Sequence, residues 1–236
     1  MIKFKNTKIA DIGFYINLDK RKDRKVKIES QLKEFQFHGV ERFKAFSSYE
    51  ANTLNCKRSH LMVMKKLVDS KFETLLILED DCKFLDILKS DGEKIFQDIN
   101  NTDWDLFWLG CRNRKETIKY KNNCYQVSST SYAQSYLIKR NMCEFIIKNF
   151  YDEHFHKQPV TPDELLTLTP YGVDVVLNPN NYDFYNLNNP LISLPTIFKQ
   201  LCYEKPLTTQ YPSYSDLWCR DVDYENYIKG GHPKLK

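Results

Sequence analysis

The most constraining stretch of the sequence is Thr74-Leu75-Leu76-Ile77-Leu78, an apolar run that passes without a spacer into Glu79-Asp80-Asp81. So short a run has the length of a strand rather than of a buried helix, and a strand with no polar face must be covered on both sides. Helices above and below a sheet provide that cover, so the run calls for an α/β layering. The rest of the N-terminal two thirds agrees. Asp11 to Leu18 reads as a first strand, Ile28, Leu32 and Phe35 mark one face of a helix, and Glu41 to Phe46 reads as a short strand. Leu61, Met64, Leu67 and Val68 lie on one side of a helix over Asn55 to Ser70. Asp103 to Leu109, closed by Gly110, and Tyr132 to Ile138 are strands, and Asn141 to Phe150 is a packed helix. This alternation predicts a mostly parallel sheet in one domain spanning 1–236. From Gln158 onward proline is concentrated among Asn and Tyr clusters, which predicts an irregular C-terminal third wrapped on the same domain, with a loop over Asn178 to Asn189.

Composition narrows the function classes. A chain of 236 residues, 42% of them apolar, can bury about 70% of its unfolded surface, which excludes disordered and stapled small folds. The net charge of +4 is spread along the chain, with no basic stripe or recognised nucleic-acid module. A mildly basic face still suits an anion such as a nucleotide diphosphate. The seven cysteines form no C-x-x-C knuckle, which argues against a structural zinc, and their odd number argues against a complete disulfide framework. They read as thiols in a reducing compartment. Met1 to Ala10 has no secretory apolar core, and no stretch reaches the roughly 18 apolar residues of a membrane helix. The expectation is an intracellular protein without a membrane span.

Three segments carry candidate chemistry. Glu79-Asp80-Asp81 stands at the carboxyl end of a strand, where open α/β sheets bind ligands, and adjacent acids there repel one another unless they share a cation. A hard ion such as Mg²⁺ or Mn²⁺ would bridge them to phosphate oxygens, whereas the plain alternative is a solvated acidic turn. Asn17 to Arg24 (NLDKRKDR) follows the first strand and offers backbone N–H groups and guanidinium forks to a nucleotide; otherwise it is a solvated helix start. Cys56-Lys57-Arg58-Ser59-His60 heads a helix, where Ser59 and His60 can face the same crevice, although a lone helical His is more often structural.

Taken in order and spacing, these segments resemble glycosyltransferase family 25, which includes bacterial lipooligosaccharide galactosyltransferases and collagen hydroxylysine galactosyltransferases. The matching stretches are FYINLDKRKDR at Phe14 to Arg24, FKAF around Ala45, CKRSH at Cys56 to His60, LLILEDD at Leu75 to Asp81 and WDLFWLG at Trp104 to Gly110. YAQSYLI at Tyr132 to Ile138, TPDELL at Thr161 to Leu166 and QYPSYSDLW at Gln210 to Trp218 extend the resemblance over most of the chain. There are departures: Asn55 stands where the family usually has Gly, and the Asp163 motif is closer to the collagen-type PVDEFL pattern than to the bacterial one. The short, Lys-, Asn- and Tyr-rich chain is most similar to collagen-type members from large DNA viruses.

The resemblance implies a GT-A-like nucleotide-diphospho-sugar transferase fold, with a donor-binding part over about residues 1–140 and an acceptor side over about 141–236. It implies that Asp81, with Glu79 as a second ligand, holds Mn²⁺ (or Mg²⁺) on the diphosphate of a UDP-hexose donor, and that Asp80 touches the ribose or donor sugar. Asn17, Arg21, Arg24, Ala45 and Ser59 would line the nucleotide, and His154, His156 and Gln200 are candidates for a third metal ligand. Asp163 would be the catalytic carboxylate, although Asp163 and Glu164 behind Pro162 also make an ordinary acidic helix start. If transfer inverts, Asp163 as base is sufficient; if it retains, Asp163 positions the acceptor. The implied acceptor is a collagen-like protein at hydroxylysine or galactosylhydroxylysine, receiving glucose or galactose. Lipooligosaccharide β-galactosyl transfer and a non-catalytic glycan- or nucleotide-binding homologue are the alternatives. The implied location is the cytoplasm or a viral factory.

Overall fold

The computed structural model describes residues 1–48, 52–113, 117–127, 130–151, 160–172, 176, 196–211, 213–215 and 220–222. In chain order its strands are β1 (Ile2–Phe4), β2 (Thr7–Ala10), β3 (Ile12–Asn17), β4 (Phe37–His38), β5 (Glu41–Lys44), β6 (Thr74–Glu79), β7 (Cys82–Phe84) and β8 (Leu106–Trp108). They continue with β9 (Arg112–Asn113), β10 (Ile118–Lys119), β11 (Cys124–Gln126), β12 (Thr130–Ser131), β13 (Ser135–Lys139), β14 (Gln200–Tyr203), β15 (Thr208–Gln210), β16 (Ser213–Ser215) and β17 (Arg220–Val222). The helices are α1 (Lys22–Glu34), α2 (Asn52–Val68), α3 (Ile87–Asn100), α4 (Arg140–Phe150) and the short α5 (Pro162–Leu168), which runs into a 3₁₀ turn at Thr169–Tyr171.

The central sheet has eight strands in the order β10-β11-β14-β8-β13-β6-β3-β5. β6 pairs in parallel with β3 and β3 with β5, and β14 pairs in parallel with β8. β13 lies antiparallel between β6 and β8, so β8 and β14 regain the direction of β6, while β11 again runs against β14. The sheet is therefore mostly parallel in direction, as expected. That the strand over Tyr132 to Ile138 reverses is not visible in its composition.

Alternation along β6 sorts its side chains into two cores. Leu75 and Ile77 join Leu61, Met64, Leu67 and Ile146 under α2 and α4, while Leu76 and Leu78 join Ile28, Leu32, Ile95 and Phe96 under α1 and α3. The four side chains from Leu75 to Leu78 are fully buried, which is why the middle of the strand carries no polar position. The β1–β2 hairpin and β4 form a small sheet against the second core. There Phe4 packs over Gly92 of α3, where a Cβ would stand 2.5 Å from the Phe4 ring; the glycine is what lets helix and hairpin meet.

The expectation of an irregular C-terminal third is corrected where that third is described. Gln200–Tyr203 enters the central sheet between β11 and β8, and Thr208–Gln210 pairs with β7. Four residues among prolines give no strand signal of their own, and their partners lie far away in sequence. The loop expected over residues 178–189 lies outside the described residues.

Asp11 ties the start of β6 to the link before β3. Its Oδ2 accepts hydrogen bonds from the Glu73 and Thr74 backbone N–H groups at 2.9 and 3.0 Å, and its Oδ1 pairs with Lys8 at 2.6 Å. Burial pushes the carboxyl up, but these donors outweigh it and hold it at about 2. A depressed folded-state value stabilises the fold above the unfolded value of 3.8, and the stabilisation is lost as the pH falls towards about 2. Asp11→Ala is expected to cost about 1–2 kcal/mol near neutral pH, discounted for partial solvent screening. The gap to wild type should narrow in urea melts repeated at about pH 3; a gap independent of pH would show that the carboxylate charge contributes nothing.

Candidate active site

The carboxyl ends of β3 and β6 open into a cleft of about 290 Å³. Its walls come from the ends of β3 and β5, the first turns of α1, α2 and α5, the β6–β7 link, Tyr132 and Gln210. Each wall is where a strand gives way to a helix or turn, so side chains and helix N-termini converge there.

The acidic segment forms the floor. Asp80 and Asp81 are buried, and Glu79 closes β6. One guanidinium nitrogen of Arg24 bridges Asp80 Oδ1 at 3.1 Å and Asp81 Oδ2 at 3.0 Å. Asn17, itself buried, donates to Asp80 Oδ2 at 2.7 Å and to the Arg21 carbonyl at 3.1 Å, while its own Oδ1 accepts from Arg42 Nε at 2.9 Å. Burial raises the Asp81 carboxyl first and the Glu79 charge raises it further, to about 7, against the pull of Arg24. Burial also raises Asp80, while Arg24 and the Asn17 amide hold it down.

The C-terminal ribbon pins this segment. Gln210 Nε2 donates to Asp81 Oδ1 at 3.2 Å, the Tyr211 N–H donates to the Asp81 carbonyl at 2.9 Å, and the buried Gln210 Oε1 has no hydrogen-bond partner among the described residues. From the other side, Gln31 of α1 donates to the Cys82 carbonyl and accepts from the Phe84 N–H, both at 2.8 Å.

Opposite Asp81, the hydrogen bonds of α5 sort its two acids. Thr161 caps the helix, and Glu164 Oε2 accepts from the Thr161 N–H at 2.8 Å and the Thr161 hydroxyl at 2.9 Å, a capping box. Both acids line the cleft, but Asp163 is not drawn into the cap. The third wall belongs to α2. Ser59 is fully buried; its hydroxyl donates to the Asn55 carbonyl at 2.8 Å and accepts from the Phe46 N–H at 2.9 Å, so it ties the segment after β5 to the helix. His60 contacts Glu79 Oε1 through Nε2 at 3.1 Å and the Tyr136 hydroxyl through Nδ1 at 2.8 Å.

The structure thus gathers Arg24, Ala45, Ser59, Glu79, Asp80, Asp81 and Asp163 around one cleft, with Asn17 directly behind Asp80. Arg21 is not among the residues that line it; its guanidinium pairs with Asp23 at 3.0–3.1 Å. Gln200 is occupied elsewhere, accepting from Trp108 Nε1 and donating to the Thr167 carbonyl, both at 3.1 Å. His154 and His156 lie outside the described residues. Sequence reasoning passed over Arg42, Gln31, Tyr136 and Gln210, all of which reach the site through sheet pairing or helix packing.

The acids supply the hard oxygens a divalent cation would take, although among the described residues the acidic, thiol and imidazole ligand atoms that lie within 4.8 Å of one another are those of Cys56, His60 and Glu79. Glu79, Asp80 and Asp81 stand against the single guanidinium of Arg24, two of the acids are buried, and the unpartnered Gln210 oxygen adds a neutral donor beside Asp81. Hard oxygens of this kind suit Mg²⁺ or Mn²⁺.

No protein-family model matches the chain. It is similar to procollagen galactosyltransferase 2 of Mus musculus, at 30% identity over 125 residues, which is 41% of this chain and 20% of that protein. The chain therefore spans about a fifth of the length of this curated relative. Among solved structures it is similar to a glycosyltransferase involved in the glycosylation of the major capsid of PBCV-1, with a TM-score of 0.42 and 10% identity over 81% of this chain and 93% of that one. It is also similar to a mannose-1-phosphate geranyltransferase from Thermus thermophilus, with a TM-score of 0.38 and 10% identity over 80% of this chain and 58% of that one. No helix among the described residues is long and apolar enough to cross a membrane.

Proposed function

We propose that the chain is a glycosyltransferase that takes glucose or galactose from a UDP-hexose and passes it to a hydroxyl of a collagen-like protein, at hydroxylysine or galactosylhydroxylysine. The observation that carries this reading is the single cleft in which the buried Asp80–Asp81 pair faces Asp163. The partial similarity to a procollagen galactosyltransferase favours a collagen-like acceptor over a lipooligosaccharide.

In this reading Asp81, with Glu79, holds Mn²⁺ or Mg²⁺, and Gln210 rather than Gln200 offers the further oxygen. The bound ion would supply Lewis-acid stabilisation of the charge that develops on the leaving UDP. Arg24 and Asn17 fix the rotamer of Asp80, which is left to meet the ribose or the donor sugar. The N-terminus of α2 and Lys20 at the rim favour the negative diphosphate. Asp163, which lines the same cleft, would meet the acceptor hydroxyl and accept its proton if transfer inverts.

A donor screen tests this: the protein with Mn²⁺ and each UDP-sugar, with and without a galactosylated collagen peptide, read by mass. Addition of one hexose to the peptide from UDP-glucose or UDP-galactose is expected. Tight UDP binding without transfer to any acceptor would identify a binding module instead.

A further inference from the structure

On the α2 side of the cleft, Cys56 and His60 stand one helical turn apart and both face Glu79. Cys56 Sγ is 3.9 Å from Glu79 Oε1 and His60 Nε2 is 3.1 Å from the same oxygen, and the three ligand atoms lie within 4.8 Å of one another. A tetrahedral zinc ion with ordinary bond lengths holds S and O about 3.6 Å apart and N and O about 3.4 Å apart, so these two separations lie within about 0.3 Å of the tetrahedral values, and S and N are no more than 4.8 Å apart against about 3.5 Å. His60 is 1% exposed, and its other ring nitrogen meets the Tyr136 hydroxyl at 2.8 Å, the kind of outer hydrogen bond that orients ligating histidines. Cys56, His60 and Glu79 all line the cleft, so a fourth position opens towards it.

We propose that Cys56, His60 and Glu79 form a Zn²⁺ site with one open coordination position facing the cleft. Thiolate and imidazole select zinc over Mg²⁺ and Mn²⁺, which prefer the all-oxygen set around Asp81. Binding moves one proton off the protein: the Cys56 thiol gives it to solvent as the Zn–S bond forms. His60 binds through the Nε2 lone pair, with a proton on Nδ1 directed at the Tyr136 oxygen. In the absence of zinc the tautomer is the other one, with Nε2–H donating to the Glu79 carboxylate. Desolvation and the nearby carboxylates keep the thiol protonated without the ion, and a bound cation reverses that balance. The site rests on the cleft geometry and stands whether or not the donor reading does. If both hold, zinc withdraws Glu79 from the donor cation and inhibits transfer.

The test titrates the chelator-stripped protein with Zn²⁺ alone, by calorimetry in two buffers of different ionisation enthalpy. The expected result is one equivalent bound with close to one proton released. Tyr136→Phe is expected to weaken binding by about 10- to 100-fold and Cys56→Ser by more than that. Co²⁺ in place of zinc should give a thiolate charge-transfer absorption that Cys56→Ser removes. Zinc affinity unchanged in both Cys56→Ser and His60→Ala would overturn the proposal, because the ion would then sit elsewhere. If the variants do not fold, alkylation of the wild-type protein decides: zinc must protect Cys56 from iodoacetamide, read by peptide mass, and a Cys56 modified equally with and without zinc overturns the site.

Discussion

Asp81→Asn is expected to reduce hexose transfer by at least about 10³-fold, equivalent to roughly 4 kcal/mol of transition-state stabilisation, while leaving a folded and more heat-resistant metal-free protein. The two effects have one cause. Burial and the adjacent Glu79 raise the Asp81 carboxyl to about 7, so the fold resists the charge that the proposed cation needs. For an acid raised in the folded state, the folded chain holds the proton more tightly than the unfolded chain between 3.8 and about 7. Stability therefore falls as the pH rises through that window, and the full penalty is present above it. A neutral amide of the same shape removes the penalty, so the midpoint of thermal unfolding without metal should rise in the variant at about pH 8 and approach the wild-type value at about pH 5. Unimpaired transfer by a folded Asp81→Asn protein would remove the metal assignment. A variant less stable than wild type at both pH values would show that Arg24 and Gln210 outweigh burial in the native protein.

The second large effect separates neighbouring acids. Asp163→Asn is expected to lower kcat by about 10²- to 10⁴-fold with donor affinity retained, the range of a lost general base. Glu164→Ala is expected to do the reverse, costing about 0.5–2 kcal/mol of stability through the lost capping box while keeping most of kcat. The assignment depends on the hydrogen bonds: both acids line the cleft, but Glu164 is turned back onto Thr161 and Asp163 is not. If transfer proceeds with retention, Asp163→Asn should instead raise the acceptor KM more than it lowers kcat. Full activity in both variants would remove α5 from the chemistry.

What could be read from the sequence divides along a physical line. β6 and its acids, α1, α2 and α4 declare themselves because each carries its signal within a few residues: an unbroken apolar run, or apolar positions a turn apart. α3 carries that spacing too, at Leu88, Ile95 and Ile99, but Gly92 and several charges interrupt it; the glycine is explained only by Phe4, brought over it by the hairpin. In the site, Asp80, Asp81 and Asp163 are legible as local motifs. Which arginine meets the acids is not: Arg21 and Arg24 are three residues apart, and only the fold shows Arg24 on Asp80 and Asp81 and Arg21 on Asp23. Gln210 reaches the cleft, and Tyr136 reaches His60 behind it, only through strand pairing with residues dozens of positions away, which no window on the chain contains.

The position of β14 has a consequence for how the molecule is made. Gln200–Tyr203 does not extend an edge; it fills the gap between β8 and β11, two strands synthesised long before it. A ribosome that has delivered Leu106 to Gln126 has delivered the banks of a slot without its occupant, and β11 has no central-sheet partner except β10 until the later segment arrives. The nascent chain must therefore hold unpaired strand edges in waiting, a slow and aggregation-exposed arrangement. The same late segment brings Gln210 to Asp81, so closure of the sheet and completion of the cleft are one event in the life of the chain.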